Sequence, residues 1–228
     1  MEDDESLNNE EIDETEEGKS KQGDVEEVDE KEKIKKEAME LNNQGFSLLT
    51  QGKIDEAIDY FKQALEVYPE LSEAWNNLGN AYKMQGKLDL AAKTFREAIA
   101  KNPDDAVAHN NLGTIYIETN RLDLAINEFR EALRINPKYA EAYYNIAVVY
   151  HDLGKIDLAI NDYREALKIN PKFFQGYFSL GLAYKDKGKL EEAVNCLNTF
   201  IKIAPPHYSE MIREAEEIAQ IIRETIGK

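Results

Sequence analysis

Cysteine occurs once, at Cys196, which excludes an internal disulfide and a thiolate metal cluster. Histidine occurs three times, at His109, His151 and His207, and none has a ligand-type neighbour at a recurring spacing. HExxH, CxxC and a glycine-rich phosphate loop are all missing, so no metal and no cofactor is expected. Basic residues are outnumbered, 28 Lys and Arg against 45 Asp and Glu, giving a net charge of −17. Nucleic acid and anionic membrane would both be repelled, because binding either needs a basic footprint. No apolar run approaches bilayer length, and Met1-Glu2-Asp3-Asp4-Glu5 has neither the positive nor the apolar region of a secretion signal. A reducing, cytoplasmic setting is expected. Carboxylates are plentiful, but no spacing pairs two of them in a dry pocket as acid–base catalysis requires. The chain is expected not to be an enzyme.

What the chain has in quantity is repetition. Trp75-x-x-Leu78-Gly79-x-x-Tyr82 is followed by Ala91-x-x-x-Phe95 and Pro103. The pattern returns after 34 residues as Leu112, Gly113, Tyr116, Ala125, Phe129 and Pro137. It recurs again through Ala147, Tyr150, Ala159, Tyr163 and Pro171, and flanking copies run through Gly45, Phe61 and Pro69 and through Gly181, Tyr184 and Pro205. Five copies fill 38–71, 72–105, 106–139, 140–173 and 174–207. Each contains two helices. Trp75, Leu78, Gly79 and Tyr82 fall at i, i+3, i+4 and i+7, one apolar face of the first helix, called A. A small residue at 45, 79, 113, 147 and 181 lets the second helix, B, pack close. Gly52, Gly86, Asn120, Gly154 and Gly188 end helix A in the left-handed conformation. Asp55, Asp89, Asp123 and Asp157 are expected to be N-caps of helix B. Proline at 69, 103, 137, 171 and 205 stops helix B by biasing the preceding residue out of the α region.

This spacing resembles the tetratricopeptide-repeat (TPR) family over about three quarters of the chain. The resemblance implies an all-α, right-handed α-solenoid of stacked helix-turn-helix units with helix A lining a concave groove. It also implies a non-enzymatic protein–protein interaction module whose ligand contacts come from helix-A positions 2, 5, 6, 9, 12 and 13. Position 6 is Asn43, Asn77, Asn111, Asn145 and then Ser179. An amide offers donors and an acceptor, so such a ladder can hold the backbone of an extended peptide whatever its side chains. Similar ladders occur in the superhelix of O-linked N-acetylglucosamine transferase and in kinesin light chains. The alternative is that the amides bond neighbouring helices or water. The remaining candidate contacts are Asn76, Asn80, Asn110 and Lys83, which are polar, and Tyr144, Val148, Phe178 and Leu182, an apolar patch. Phe178 and Leu182 could instead pack under a C-terminal helix. The groove carries more acids than bases, so a neutral or basic segment with an apolar anchor, extended or helical, is the expected partner. The clamp by which some TPR cochaperones grip acidic chaperone C-termini needs cations where this chain has Asn76, Glu141 and Asn145. That ligand is not expected.

The ends differ from the repeats. Residues 1–37 hold 17 acids and 6 bases, a net of −11, leaving −6 for the rest. Residues 1–30 are expected to be a disordered acidic tail, with helix beginning near Lys31 and the repeat domain covering 31–207. Residues 208–228 are expected to form a capping helix, because a solenoid needs its terminal face shielded. Its isoleucines at 221, 222 and 226 offer an alternative function, a scaffold that self-associates weakly through this helix, against a simple monomer.

Overall fold

The computed structural model describes residues 14–227, with side chains from residue 30 onward. Among the described residues the chain is a succession of α-helices with no strand. The A helices are α1 (Glu14–Thr50), α3 (Ser72–Met84), α5 (Ala106–Glu118), α7 (Ala140–Asp152) and α9 (Phe174–Asp186). The B helices are α2 (Ile54–Val67), α4 (Leu88–Lys101), α6 (Leu122–Ile135), α8 (Ile156–Ile169) and α10 (Leu190–Ile203). A single 3₁₀ turn, Pro206–Tyr208, leads into α11 (Ser209–Ile226). Each A helix packs on its own B helix, and each B helix on the next A helix. Successive A helices also approach one another at every step, and successive B helices show no comparable approach. The stack therefore bends with the A helices inside, an α-solenoid.

The packing follows from side-chain volume. Phe61, Phe95 and Phe129 are fully buried, each worth about 1.5–3 kcal/mol of apolar burial. Their rings lie where a Cβ on the facing A helix would sit. A methyl on Gly79 would come within 2.6 Å of Phe95, and one on Gly113 within 2.5 Å of Phe129. In repeat 5 the aromatic is replaced by Leu197, also fully buried, and the clearance at Gly181 widens to 3.0 Å. The A-to-B turns carry φ of +69° to +78° at Gly52, Gly86, Gly154 and Gly188, and +56° at Asn120. The prolines follow extended residues that close the B helices, as at Asn102 (φ −138°, ψ 92°) and Asn136 (φ −128°, ψ 93°).

Two expectations need correction. The aspartates are not N-caps of the B helices: the N-cap positions are Lys53, Lys87, Arg121 and Lys155, without a side-chain capping bond. The aspartates lie two residues further on, inside the first turn, where a carboxylate favours the positive end of the helix dipole. Two of them also tie neighbouring repeats: Asp55 accepts from Gln85, and Asp157 pairs with Lys187. The aspartate that does cap a helix is Asp105, whose Oδ1 accepts from the backbone N–H of Val107 and Ala108 on α5. The second correction is at the N-terminus. Helix α1 starts at Glu14, so residues 14–30, expected without structure, are helical; their many Glu and Lys residues are good helix formers. The expected tail over 1–13 lies outside the described residues.

At the other end α11 buries Ala215, Ala219 and Ile222 at i, i+4 and i+7, against Phe178, Leu197 and Phe200. Of its isoleucines, 222 is buried while 221 and 226 are exposed. No described helix is long and apolar enough to cross a membrane.

Candidate functional site

The inner surface consists of one stripe per A helix, at steps of four, three and four residues. It is Met39, Asn43, Phe46 and Thr50 on α1, then Glu73, Asn77, Asn80 and Met84 on α3. On α5 it is Val107, Asn111, Thr114 and Glu118, and on α7 Glu141, Asn145, Val148 and Asp152. Gln175, Ser179, Leu182 and Asp186 complete it on α9. All of these side chains are exposed or half-buried.

The asparagines at the centre of this surface are already engaged. Asn77 donates through Nδ2 to Asn42 Oδ1 on the preceding A helix at 2.9 Å. Asn111 donates in the same way to Asn76, and Asn145 to Asn110, each at 2.9 Å. The ladder is thus built from adjacent pairs: the first asparagine of each pair accepts from the second asparagine one repeat later. The acceptors are buried, Asn42 at 1% exposure, Asn76 at 8% and Asn110 at 6%. At the fourth step the same two positions are Tyr144 and Ser179, whose hydroxyls lie 3.3 Å apart. Asn43 has no repeat before it and no rung. Of the two readings of the ladder, the structure has the one in which the amides bond neighbouring helices. It leaves the Oδ1 and second amide hydrogen of Asn77, Asn111 and Asn145 without a protein partner among the described residues.

The sequence-predicted contacts divide accordingly. Asn43, Asn77, Asn80, Asn111, Asn145, Val148 and Leu182 belong to the inner stripes, and Lys83 is half-buried beside them. Asn76 and Asn110, expected as polar groove contacts, are buried acceptors of the ladder instead. Phe178, expected in an apolar groove patch, is 8% exposed and packs on Phe200 with ring centroids 5.2 Å apart, in the cluster that α11 closes. Tyr144 is half-buried against Tyr163 and Phe173 at 5.6 and 4.8 Å. The aromatic that the inner surface does expose is Phe46, at 52%, with Met39 at 40% about two turns before it. Both lie at frame positions that yield Glu73, Asn80 and Val148 in later repeats; extending that frame to repeat 1 finds them.

Charge on this surface is mostly unneutralised carboxylate. His151 Nε2 lies 2.9 Å from Asp186 across repeats 4 and 5. Glu73, Glu118, Glu141 and Asp152 have no ion pair among the described residues. No group of three or more His, Cys, Asp or Glu side chains among the described residues could hold a metal ion.

Tetratricopeptide-repeat family models match residues 42–106, 94–127 and 174–207, and TPR-repeat models match 113–154 and 149–188. Together they run from 42 to 207. Among curated proteins none matches the chain closely enough to count as a relative. Among solved structures, MamA is 31% identical, with a TM-score of 0.61 over 69% of this chain and 92% of that one. YrrB, described as a TPR protein with an unusual peptide-binding site, is 21% identical, with a TM-score of 0.59 over 79% of this chain and 92% of its own. PilF of Pseudomonas aeruginosa is 19% identical, with a TM-score of 0.71 over 85% and 95%. The latter two are similar in fold.

Proposed function

The chain belongs to the tetratricopeptide-repeat family, and we propose that its inner groove holds an extended segment of a partner protein. Membership of the family makes it a protein–protein interaction module. The finer reading rests on one observation: three groove asparagines are held in fixed rotamers by bonds to buried amides behind them. Each keeps an unused acceptor and an unused donor. A pre-oriented amide loses little side-chain entropy when it pairs with a peptide N–H or C=O, so the ladder favours binding through pre-organisation. Phe46 supplies an exposed aromatic anchor at one end, and Val148 with Leu182 a half-buried aliphatic surface at the other. Carboxylates along the groove favour a neutral or basic segment over an acidic one. We read the protein as non-catalytic, as its family membership suggests.

The test avoids the ladder itself, since removing Asn77 or Asn111 would strip a buried acceptor of its donor. The substitutions Phe46→Ser and Asn80→Ala change the groove surface alone. In a pull-down from the source lysate read by mass spectrometry, a protein retained by the wild type and lost by this double variant is expected. Equal retention by both would place the partner elsewhere and remove the groove reading.

A further inference from the structure

The residue that closes each A helix on the inner surface changes character along the stack. It is Thr50 on α1 and Met84 on α3, then Glu118 on α5, Asp152 on α7 and Asp186 on α9. A carboxylate at a helix C-terminus meets the negative end of the helix dipole, so these three are placed against the stability of their own helices. The last turns compensate little. That of α5 has no basic residue, that of α7 has His151, which pairs with Asp186, and that of α9 has Lys185. Glu118 and Asp152 have no side-chain hydrogen bond or ion pair among the described residues. A local rule broken in register on consecutive repeats points to a demand other than folding.

The apolar side chains of the same surface run the other way. Phe46, Met84 and Val107, on α1, α3 and α5, are 52%, 54% and 47% exposed. On α7 and α9 the apolar members of the stripe, Val148 and Leu182, are half-buried. The groove thus has two parts, an open apolar one over repeats 1 to 3 and an acidic one over repeats 3 to 5. Beside the apolar part Lys83 offsets Glu73 in charge. Beside the acidic part Lys185 is outnumbered by Glu118, Glu141 and Asp152, none of which has an ion pair among the described residues. Val148 lies one turn before Asp152, and Leu182 one turn before Asp186. A Lys or Arg reaching either carboxylate would therefore lay its methylene stem on an aliphatic surface.

We propose, resting on the groove reading, that the bound segment is bipartite: an apolar end seated on Phe46 and Met84, and basic residues about three positions apart on Glu118 and Asp152. The spacing follows from geometry. Met84, Glu118 and Asp152 occupy the same position on successive A helices, which approach one another at each step. Neighbouring helices pack about 8–10 Å apart, and a polyproline-II chain advances about 3.1 Å per residue. One step of the solenoid therefore takes about three residues, which is one turn of that chain and returns a side chain to the same face. Unneutralised carboxylates at two successive steps select Lys or Arg there and disfavour Asp or Glu.

The test pans a displayed library of short random peptides against the full chain. Recovered peptides are expected to carry an apolar residue with Lys or Arg about three and six positions to one side of it. Their affinity should fall about three- to tenfold in Glu118→Gln/Asp152→Asn at low salt, and the difference should vanish near 1 M salt, where the screening length is about 3 Å. The melting temperature of that variant should stay or rise, because the lost charges opposed the helix dipoles; a fall would show that they serve the fold and would overturn the proposal. Panning against Glu118→Lys/Asp152→Lys should return Asp or Glu at the same spacing with the apolar residue kept. Peptides weakened by Phe46→Ser/Asn80→Ala but indifferent to Glu118→Gln/Asp152→Asn would overturn the bipartite segment and leave the groove reading standing. Peptides indifferent to both variants, or none recovered at all, would remove both.

Discussion

The first three inter-repeat steps and the fourth join equivalent helices with different chemistry. From repeat 1 to repeat 4 each junction carries an amide pair with a buried acceptor, Asn42–Asn77, Asn76–Asn111 and Asn110–Asn145. From repeat 4 to repeat 5 it is Tyr144 and Ser179, and beyond that Phe178 is covered by α11. The amide rung is directional: a donor and an acceptor must meet at 2.9 Å, so a change of register between repeats breaks it. The aromatic end is held by volume instead, with Tyr144, Phe173, Phe178 and Phe200 filling space in any arrangement that keeps them in contact. Both halves are packed; the first adds a repeated amide rung, and the second has Tyr144–Ser179, His151–Asp186 and Asp157–Lys187 in its place.

The sharpest way to break this comparison is to empty the packed end. Phe200→Ala removes a fully buried ring and is expected to cost about 3–5 kcal/mol, read by chemical denaturation. Because repeats couple mainly to their neighbours, α9 to α11 should lose amide-exchange protection before α1 to α4 do. A uniform loss along the chain would contradict the two-part picture. Next in size is the glycine contact. Gly113→Ala brings a methyl to 2.5 Å from the immobile Phe129 ring and is expected to cost about 1–3 kcal/mol. Gly181→Ala meets Leu197 at 3.0 Å and should cost clearly less.

The ladder itself comes third. Asn76→Ala and Asn111→Ala should each destabilise by about 1–3 kcal/mol, and the double variant by less than their sum, because both break one rung. Tyr144→Phe, at the step held by packing, should cost no more than about 1 kcal/mol. Full additivity at 76 and 111 would show that the rung carries no coupling. The smallest effect is on pH. Both ring nitrogens of His109 face acceptors, Glu128 at 2.7 Å and the Pro103 carbonyl at 3.3 Å, and the Glu128 contact raises its pKa above the ordinary 6.5. A raised folded pKa stabilises the protein below the unfolded value and loses that contribution as pH rises through the folded one. As pH rises above the ordinary 6.5 and through the raised folded value, the midpoint should therefore fall by about 2–4 °C for each kcal/mol involved. His109→Gln should flatten that part of the profile.

How far the sequence alone reaches can be followed along these elements. The repeat frame, the left-handed turns at Gly52 and Asn120 and the proline stops were all readable, because each depends on a few neighbouring residues. The aspartate positions were misassigned by a small shift, since a cap depends on where the helix enters, which composition does not specify. The partners of the ladder amides lie 35 residues away and depend on how the solenoid stacks. A signal was present all the same: Asn42-Asn43, Asn76-Asn77 and Asn110-Asn111 are tandem pairs, and the rungs use both members of the last two and Asn42 of the first. Phe178 was misplaced for the complementary reason. Whether an aromatic lies open or covered at the last repeat depends on how the following helix folds back.

The rungs also have a mechanical consequence. They lie between A helices, on the inner side of the curve, so straightening the coil pulls donor from acceptor over the first four repeats. Over the last two repeats the same motion meets no amide rung, only aromatic packing and the half-exposed contacts Tyr144–Ser179 and His151–Asp186. Stretched from its ends, the molecule should behave as a spring of two stiffnesses, yielding first between α7 and α11 while the amide-laced part keeps its pitch.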